Sequence, residues 1–201
     1  MVKYGPMSKG ADTKELILKT ALDFASRWGL EALSIGELAK KVGMSKSGLF
    51  GHFNSKEKLQ MMVLDYASNH FVEAVLLPAY KKERGIPRIE TTVANWYRWI
   101  EKQNEGGCPF VAAAFEYDDR PGLVQDHLRN HLDTMINSFV RSAEIAVEEG
   151  HFKADTDCSE FAYRFYSFLL GLHLYSKLLK DESAFDFHKS AFEDLLSKYR
   201  V

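Results

Sequence analysis

The stretch from Ser34 to Lys56, SIGELAKKVGMSKSGLFGHFNSK, constrains the fold of this chain more than any other segment. Apolar residues recur in its first half at positions i, i+3, i+4 and i+7, which predicts one apolar face of a short helix: Ile35, Leu38, Ala39 and Val42. Gly43 is suited to end that helix, because glycine adopts a positive φ without strain. Ser45 can cap a second helix. Helices this short are not stable alone, so the stretch predicts a helix-turn-helix unit that packs on neighbouring helices.

The polar residues of this stretch favour contact with DNA. In a helix-turn-helix unit, the N-terminal end of the second helix meets base edges in the major groove. Nearby lysines supply sequence-independent affinity for phosphates. Periodicity alone leaves open a second interpretation, a helical hairpin with a solvated lysine face. The residues predicted to contact bases or nearby phosphates are Ser45, Lys46 and Ser47, and those predicted to hold the DNA backbone are Ser34, Lys41, His52 and Lys56.

Four features at fixed spacing make the pattern more specific. They are the Ile35, Leu38, Ala39 stripe, the Gly43-Met44-Ser45 turn, the Phe50, His52, Phe53 run and the Ser55-Lys56-Glu57 helix opening. In these features the segment from about Thr13 to Phe71 resembles the DNA-binding domain of the TetR family of bacterial transcriptional regulators. That family commonly has Tyr at the Phe50 position, with its hydroxyl on a backbone phosphate. Phe50 cannot make that hydrogen bond, so we expect it to pack or to contact a sugar.

Composition favours an all-α fold with a basic head and an acidic body. The 201 residues are 46% hydrophobic and include only five prolines, and no Val/Ile/Thr alternation indicates a sheet. Residues 1–60 carry ten Lys and Arg against six Asp and Glu, whereas the rest of the chain is net acidic. This asymmetry is typical of a nucleic-acid-binding module joined to another domain. No apolar run suits a membrane span or a signal peptide, so we expect a cytoplasmic protein without membrane contact.

Helical periodicity divides the chain into about nine helices in two domains. We predict a three-helix DNA-binding domain at residues 1–56, with the helix-turn-helix motif at about 34–53, and a helical effector-binding and dimerisation domain at 57–201. The predicted helices outside the motif cover about 12–28, 55–78, 89–103, 110–117, 123–149, 158–180 and 185–199. The long helix from Ser55 would begin at the DNA head and end inside the body.

The resemblance implies a homodimer and a small-molecule pocket in the body. Its last two helices would form a four-helix bundle with a second subunit, with candidate contacts at Phe161, Phe168, Leu172, Phe192 and Leu195. The pocket would be mostly apolar. Its candidate lining residues are Trp96, Trp99, Phe110, Phe115, Met135, Phe139 and Phe165, although ordinary core packing also explains large apolar residues.

The sequence gives little support to catalytic or metal chemistry. His127 and His131 share a helix face at spacing i, i+4, which can hold a metal, but no further ligand is dictated. We therefore expect a polar or pocket-lining pair, no metal site and no cofactor. Cys108 and Cys158 lack metal-type spacing, and a structural thiol is a simpler role than a redox sensor. No nucleophile elbow, phosphate-binding glycine loop or CxxC motif indicates an enzyme.

These observations predict a ligand-responsive DNA-binding transcriptional regulator. A repressor of this type would leave a palindromic operator when a small, apolar or aromatic effector binds. Two alternatives remain open at the level of sequence. The first is a DNA-binding protein of the same fold that acts through a protein partner without a small effector. The second is a helical metal-binding protein built around His127 and His131.

Overall fold

The computed structural model describes residues 9–103 and 106–201, and these ranges are built from α-helices. The helices are α1 (Lys9–Trp28), α2 (Ile35–Val42), α3 (Lys46–Phe53), α4 (Lys56–Phe71), α5 (Leu77–Tyr80), α6 (Ile86–Arg98), α7 (Pro109–Glu116), α8 (Leu123–Glu148), α9 (Cys158–Leu174) and α10 (Ala184–Tyr199). The π-helical turns Val72–Leu76, Trp99–Gln103 and Tyr175–Leu179 follow α4, α6 and α9. The first of these turns joins α4 to α5, so the described residues form nine helices. The predicted all-α fold is confirmed.

The turn between α2 and α3 has the geometry that the sequence predicted. Gly43 adopts φ 70° and ψ 28°, in the left-handed region. The Met44 N–H donates to the Ala39 carbonyl at 2.9 Å, and the Gly43 N–H donates to the Lys40 carbonyl at 3.4 Å. This pair of bonds is a Schellman motif, which satisfies carbonyls at the end of α2 that have no partner within the helix. Gly43 therefore ends α2 and turns the chain toward α3.

Serine hydroxyls fix the starts of the three helices around this turn. Ser34 Oγ accepts the Glu37 N–H at 3.2 Å, Ser45 Oγ accepts the Gly48 N–H at 3.0 Å, and Ser55 Oγ accepts the Lys58 N–H at 3.0 Å. Each bond satisfies a first-turn N–H that has no partner within its helix, and such a cap contributes about 1 kcal/mol. Local hydrogen bonds thus set the boundaries of α2, α3 and α4.

A long helix runs from the three-helix head into the body of the chain. It comprises α4, the π-helical turn Val72–Leu76 and α5, so it extends from Lys56 to Tyr80. At the usual rise per residue its length is about 37 Å. The inner side of α4 is buried against α1 and α8, with Leu59, Val63, Leu64, Ala67 and Phe71 among its buried residues.

Helices α6 to α10 form the body around a core of aromatic side chains. The Trp96 ring meets the Phe71 and Phe139 rings at centroid distances of 5.0 and 6.1 Å. Phe139 in turn meets Phe165 at 5.0 Å, and Phe165 meets Phe161 at 5.5 Å. Rings at such distances add to the stabilisation that burial supplies. Helices α4, α6, α8 and α9 therefore share one continuous core.

The ends of the described chain close this fold. Helix α1 is already helical at Lys9, where the described residues begin, so it includes residues ahead of the predicted start at Asp12 or Thr13. Near the C-terminus, Phe152 and Arg200 form an isolated antiparallel bridge, which is the only extended pairing among the described residues. Across residues 9–103 and 106–201, we find no helix with the combination of length and apolarity that a membrane span requires.

Candidate nucleic-acid interface and effector site

Helix α3 presents a polar face to solvent and buries the opposite face. Leu49 and Phe53 are fully buried against the rest of the head. The other side carries the predicted DNA-contacting residues Ser45, Lys46, Ser47, Phe50 and His52, all of which are exposed. Phe50 is 49% exposed, so much of its ring is open to contact from outside the chain. The burial of Leu49 and Phe53 therefore fixes which face of α3 a DNA groove would meet.

Two of the residues predicted to contact the DNA backbone, Ser34 and Lys41, lie at the start of α2 and on α2 itself. Ser34 is half-buried, and its hydroxyl already caps α2 through the Glu37 N–H. Lys41 is exposed, and its ammonium lies 5.5 Å from the centre of the Phe24 ring. An ammonium at this distance from an aromatic face gains a modest cation–π attraction, about 0.5–1 kcal/mol at an exposed site. Ser34 thus has a structural role beside any contact with DNA.

Lys56 lies in an ion pair within the chain. Its ammonium donates to Glu31 Oε1 at 2.7 Å, and the Glu31 carboxylate also accepts from Tyr117 Oη at 2.9 Å and Gln60 Nε2 at 3.3 Å. The Lys56 hydrogen bond is the main reason why the pKa of Glu31 lies below its ordinary value. Burial, together with the Glu31 carboxylate, raises the pKa of Tyr117. Spacing alone suggested a lysine free to bind phosphate, whereas this lysine already neutralises a carboxylate.

A second carboxylate, Glu116, fastens the head to the body. Its two oxygens accept the Leu30 N–H at 2.7 Å and the Glu31 N–H at 3.0 Å. Gly29 permits this approach, because a Cβ on Gly29 would lie 2.7 Å from Glu116 Oε1 and the residue has a φ of +90°. Glu116 ends α7, about 85 residues from its partners. Sequence reasoning missed this contact because nothing local indicates it.

Most of the predicted effector residues belong to the aromatic core. Trp96, Trp99, Phe110, Phe139 and Phe165 are buried, and Met135 is half-buried against them. The indole N–H of Trp96 is buried without a hydrogen-bond partner among the described residues, whereas that of Trp99 faces the Cys108 thiol. An unpaired buried donor usually costs about 1–3 kcal/mol, so the Trp96 group could reward a ligand that accepts from it.

The structure corrects the prediction for Phe115. Its side chain is 71% exposed near the C-terminal end of α7. It lines a surface groove with Val111, Leu174 and Leu178, so it does not share a cavity with Trp96. The aromatic composition of the segment suggested a pocket residue. Phe115 lies four residues after Val111, so the two share one side of α7, and that side borders the surface groove beside α9.

A groove that the sequence did not reveal lies between α6 and α10. It has a volume of 510 Å³, and Tyr97, Arg98, Phe185 and Phe192 contribute to its lining. Phe192 also contacts the core, with its ring centre 6.3 Å from that of Phe165. The groove therefore lies directly outside the buried aromatic cluster.

The predicted dimer residues divide into buried and partly exposed ones. Phe161, Leu172 and Phe192 are buried within the single chain, and Phe161 is fully enclosed by Phe152, Phe165 and Tyr199. Phe161 therefore leaves no surface for a second subunit, whereas Leu172 and Phe192 keep 2% and 6% of theirs exposed and line surface grooves. Phe168 and Leu195 are half-buried. The large exposed apolar side chains at this end are Leu174, Tyr175, Leu178, Leu179, Phe185 and Phe187.

The cysteines carry little thiolate at neutral pH. Cys108 is buried, and burial is the first cause that raises the pKa of its thiol. Burial likewise raises the pKa of the half-buried Cys158, and the nearby Glu144 carboxylate adds to the effect. Since the thiolate is the reactive form, these environments favour structural thiols over redox sensors.

The fold and the exposed face of α3 together define a helix-turn-helix DNA-binding protein with a helical body. The chain belongs to the TetR family: the family model "Tetracyclin repressor-like, C-terminal domain" matches residues 85–192, and "Bacterial regulatory proteins, tetR family" matches residues 17–60. The HTH-type transcriptional regulator YuxN of Bacillus subtilis (strain 168), which is uncharacterized, is 24% identical over 143 residues, or 66% of this chain and 48% of YuxN. The chain thus spans about half the length of this curated relative.

Solved structures share the fold at low sequence identity. A TetR transcriptional regulator from Chloroflexus aurantiacus J-10-fl superposes with a TM-score of 0.85 and 20% identity, over 97% of this chain and 100% of that one. AibR, solved in complex with isovaleryl coenzyme A and operator DNA, gives a TM-score of 0.66 and 19% identity, over 80% of this chain and 85% of AibR. At these identities the likeness concerns the fold.

Proposed function

We propose that this TetR-family protein is a ligand-responsive repressor that binds a palindromic operator as a homodimer and leaves it when a small effector binds. The observation that carries the proposal is the two-sided character of α3, with Leu49 and Phe53 buried and Ser45, Lys46 and Ser47 exposed at its N-terminal end. That end is the part of a recognition helix that reads base edges. Such a protein acts on DNA in the cytoplasm.

The proposed contacts with DNA are of two kinds, contacts with base edges and contacts with the phosphate backbone. Lys46 and Ser47 would meet base edges or the phosphates beside them, whereas Lys41 and His52 would hold the backbone. Ser34 and Ser45 cap helices as well, so their substitution would also disturb the shape of the head. Lys56 would act differently from the simple phosphate contact predicted from the sequence. It would bind a phosphate only by sharing or leaving Glu31.

A second subunit would cover the apolar ends of α9 and α10. Leu174, Leu178 and Phe187 are exposed there and Phe168 and Leu195 are half-buried, so apolar side chains on both helices face water. A two-fold axis along these helices would pair two heads. In the DNA-bound dimer the two α3 helices would lie one helical turn of DNA apart, about 34–36 Å.

The effector would enter the aromatic core of the body. The unpaired indole donor of Trp96 offers a polar contact within an otherwise apolar environment, which suits a mostly apolar molecule with an acceptor. AibR was solved with isovaleryl coenzyme A, so a related fold accommodates an acyl thioester. The effector shifts the dimer only if it prefers the released form, because equal affinity for both forms moves no equilibrium.

Selection of bound sequences from a random DNA pool tests the proposal, followed by titration of the selected operator. Lys46→Ala should weaken operator affinity about tenfold and lower the salt slope by about one counterion. Lys81→Ala is the matched control, because Lys81 is exposed at the far end of the long helix, and its affinity should stay within about twofold of the parent. Equal losses in both variants, or no selected sequence, would refute the assignment of α3.

A further inference from the structure

Three polar side chains from two helices converge at the junction of the long helix with the body. Asp65 lies on α4, and His127 and His131 lie one turn apart on α8. Asp65 Oδ1 is 2.7 Å from His127 Nε2 and 2.9 Å from His131 Nε2, and the two Nε2 atoms are 3.2 Å apart. Asp65 is 62 residues from His127 in sequence, which is why the histidine spacing alone did not reveal a third group.

Hydrogen bonding within this triad leaves one contact unsatisfied. If both Nε2 atoms carry a proton, both can donate to Asp65, but the two N–H groups then face each other at 3.2 Å. If only one Nε2 carries a proton, the lone pair of the other faces the Asp65 oxygen. With Asp65 ionised, each of these distributions of protons retains one repulsive contact. A cation removes it, because all three atoms then direct a lone pair at the same centre.

We propose that Asp65, His127 and His131 form a binding site for a first-row divalent transition metal such as Zn²⁺. Such an ion lies about 2.0–2.2 Å from imidazole nitrogen and carboxylate oxygen. Its donors are then about 3.0 Å apart at right angles and about 3.4 Å apart in a tetrahedron. The ligand atoms of the triad are 2.7, 2.9 and 3.2 Å apart, so small side-chain rotations that move these atoms by a few tenths of an ångström complete the site.

The ligand set also indicates which metal class binds and what remains open. Two imidazoles and one carboxylate suit Zn²⁺, Co²⁺, Ni²⁺ or Fe²⁺ better than Ca²⁺ or Mg²⁺, which prefer oxygen ligands. The Asp65 side chain is 50% exposed and those of His127 and His131 are 29% and 21% exposed, so water reaches the remaining coordination positions. The ring of Phe110, a predicted effector residue, lies 5.8 Å from that of His131.

A metal in this site would tie α4 to α8. Because α4 begins at the DNA head and α8 belongs to the body, the ion would hold the long helix in one position. An effect on operator release rests on the proposed function, but the metal site does not. Metal binding is measured without DNA, so the metal site and the proposed function can fail separately.

The test is calorimetric titration of Zn²⁺ into untagged full-length protein that has been stripped with a chelator. We expect one Zn²⁺ per chain with a dissociation constant at or below about 10 μM, and a melting temperature that rises with free Zn²⁺ by mass action. Co²⁺ in the same site should give visible ligand-field bands. Asp65→Asn and His127→Gln should each weaken Zn²⁺ at least tenfold, a loss typical of altered metal ligation.

Asp133→Asn is the matched control, because Asp133 is an exposed carboxylate on α8 but outside the triad. The Zn²⁺ affinity of this variant should differ from that of the parent by less than twofold. Binding of Zn²⁺ that persists unchanged in both Asp65→Asn and His127→Gln would place the metal elsewhere and overturn the proposal. Absence of heat, of a melting shift and of Co²⁺ bands at about 100 μM metal would overturn it as well.

Discussion

Replacing Glu116 by Gln tests how much the Glu116 carboxylate contributes to holding the head on the body. The two Glu116 oxygens accept the Leu30 and Glu31 N–H groups at 2.7 and 3.0 Å. An amide keeps one acceptor oxygen but places an NH₂ donor against the other N–H. The substitution therefore removes one charge-assisted hydrogen bond and makes the second a neutral one, without changing the size of the side chain.

The expected loss follows from these two bonds. A hydrogen bond to a charged group contributes about 1.5–3 kcal/mol, against about 1 kcal/mol for a neutral one. Because both bonds are only partly buried, we take the lower end and expect about 2 kcal/mol. For a chain of this size, 1 kcal/mol corresponds to about 2–4 °C, so the melting temperature should fall by about 4–8 °C.

Thermal unfolding followed by circular dichroism measures this change. Glu182→Gln is the control, since it removes the same charge from an exposed position and should shift the melting temperature by less than about 1 °C. Hydrogen exchange should also show faster opening at Leu30 and Glu31 in Glu116→Gln. If the two variants melt together, the Glu116 contact does not stabilise the head and the reasoning fails.

Three further predictions concern other parts of the molecule. Gly43→Ala should lower the free energy of unfolding by about 1 kcal/mol, because φ is 70° at this residue. Gly51→Ala, in the exposed middle of α3, should raise it by about 0.5–1 kcal/mol. Urea unfolding measures both changes, and two changes of the same sign would contradict this prediction. Burial lowers the pKa of His188 to about 4, below the ordinary 6.5. The stability that the neutral imidazole contributes above pH 6.5 is therefore lost as the pH falls toward 4. His188→Phe should reduce the difference between the free energies of unfolding at pH 7 and pH 5, as measured with urea. Leu49→Ala should cost about 2–5 kcal/mol, because Leu49 is fully buried, and an unchanged melting temperature would show that α3 is not packed as described.

The parts of the fold that could be predicted from the sequence depend on neighbours in the chain. Ser34, Gly43, Ser45 and Ser55 each act within about four residues, so their spacing is enough to place the ends of α2, α3 and α4. The apolar face of each helix likewise follows from periodicity alone. For this reason the exposure of Ser45, Lys46 and Ser47 at the start of α3 could be anticipated.

Features that depend on distant residues could not be predicted in the same way. The partners of Glu31 and the third member of the triad, Asp65, come from helices brought together only by folding. Phe115 and Phe161 also depend on distant residues. Phe115 was predicted to contact a ligand, but packing leaves it exposed; Phe161 was predicted to contact a second subunit, but packing encloses it. Aromatic character indicates burial in general, but it does not indicate against which neighbour.

The wide turn at Val72–Leu76 gives the long helix a place where its winding can change. A π-helical turn closes on the fifth residue instead of the fourth, so it takes in one residue more than the regular helix on either side. Returning that residue to regular winding would rotate α5 about the helix axis by about 100° relative to α4. Val75 and Leu76 are buried in this turn, so such a change of winding would require the side chains packed around them to rearrange.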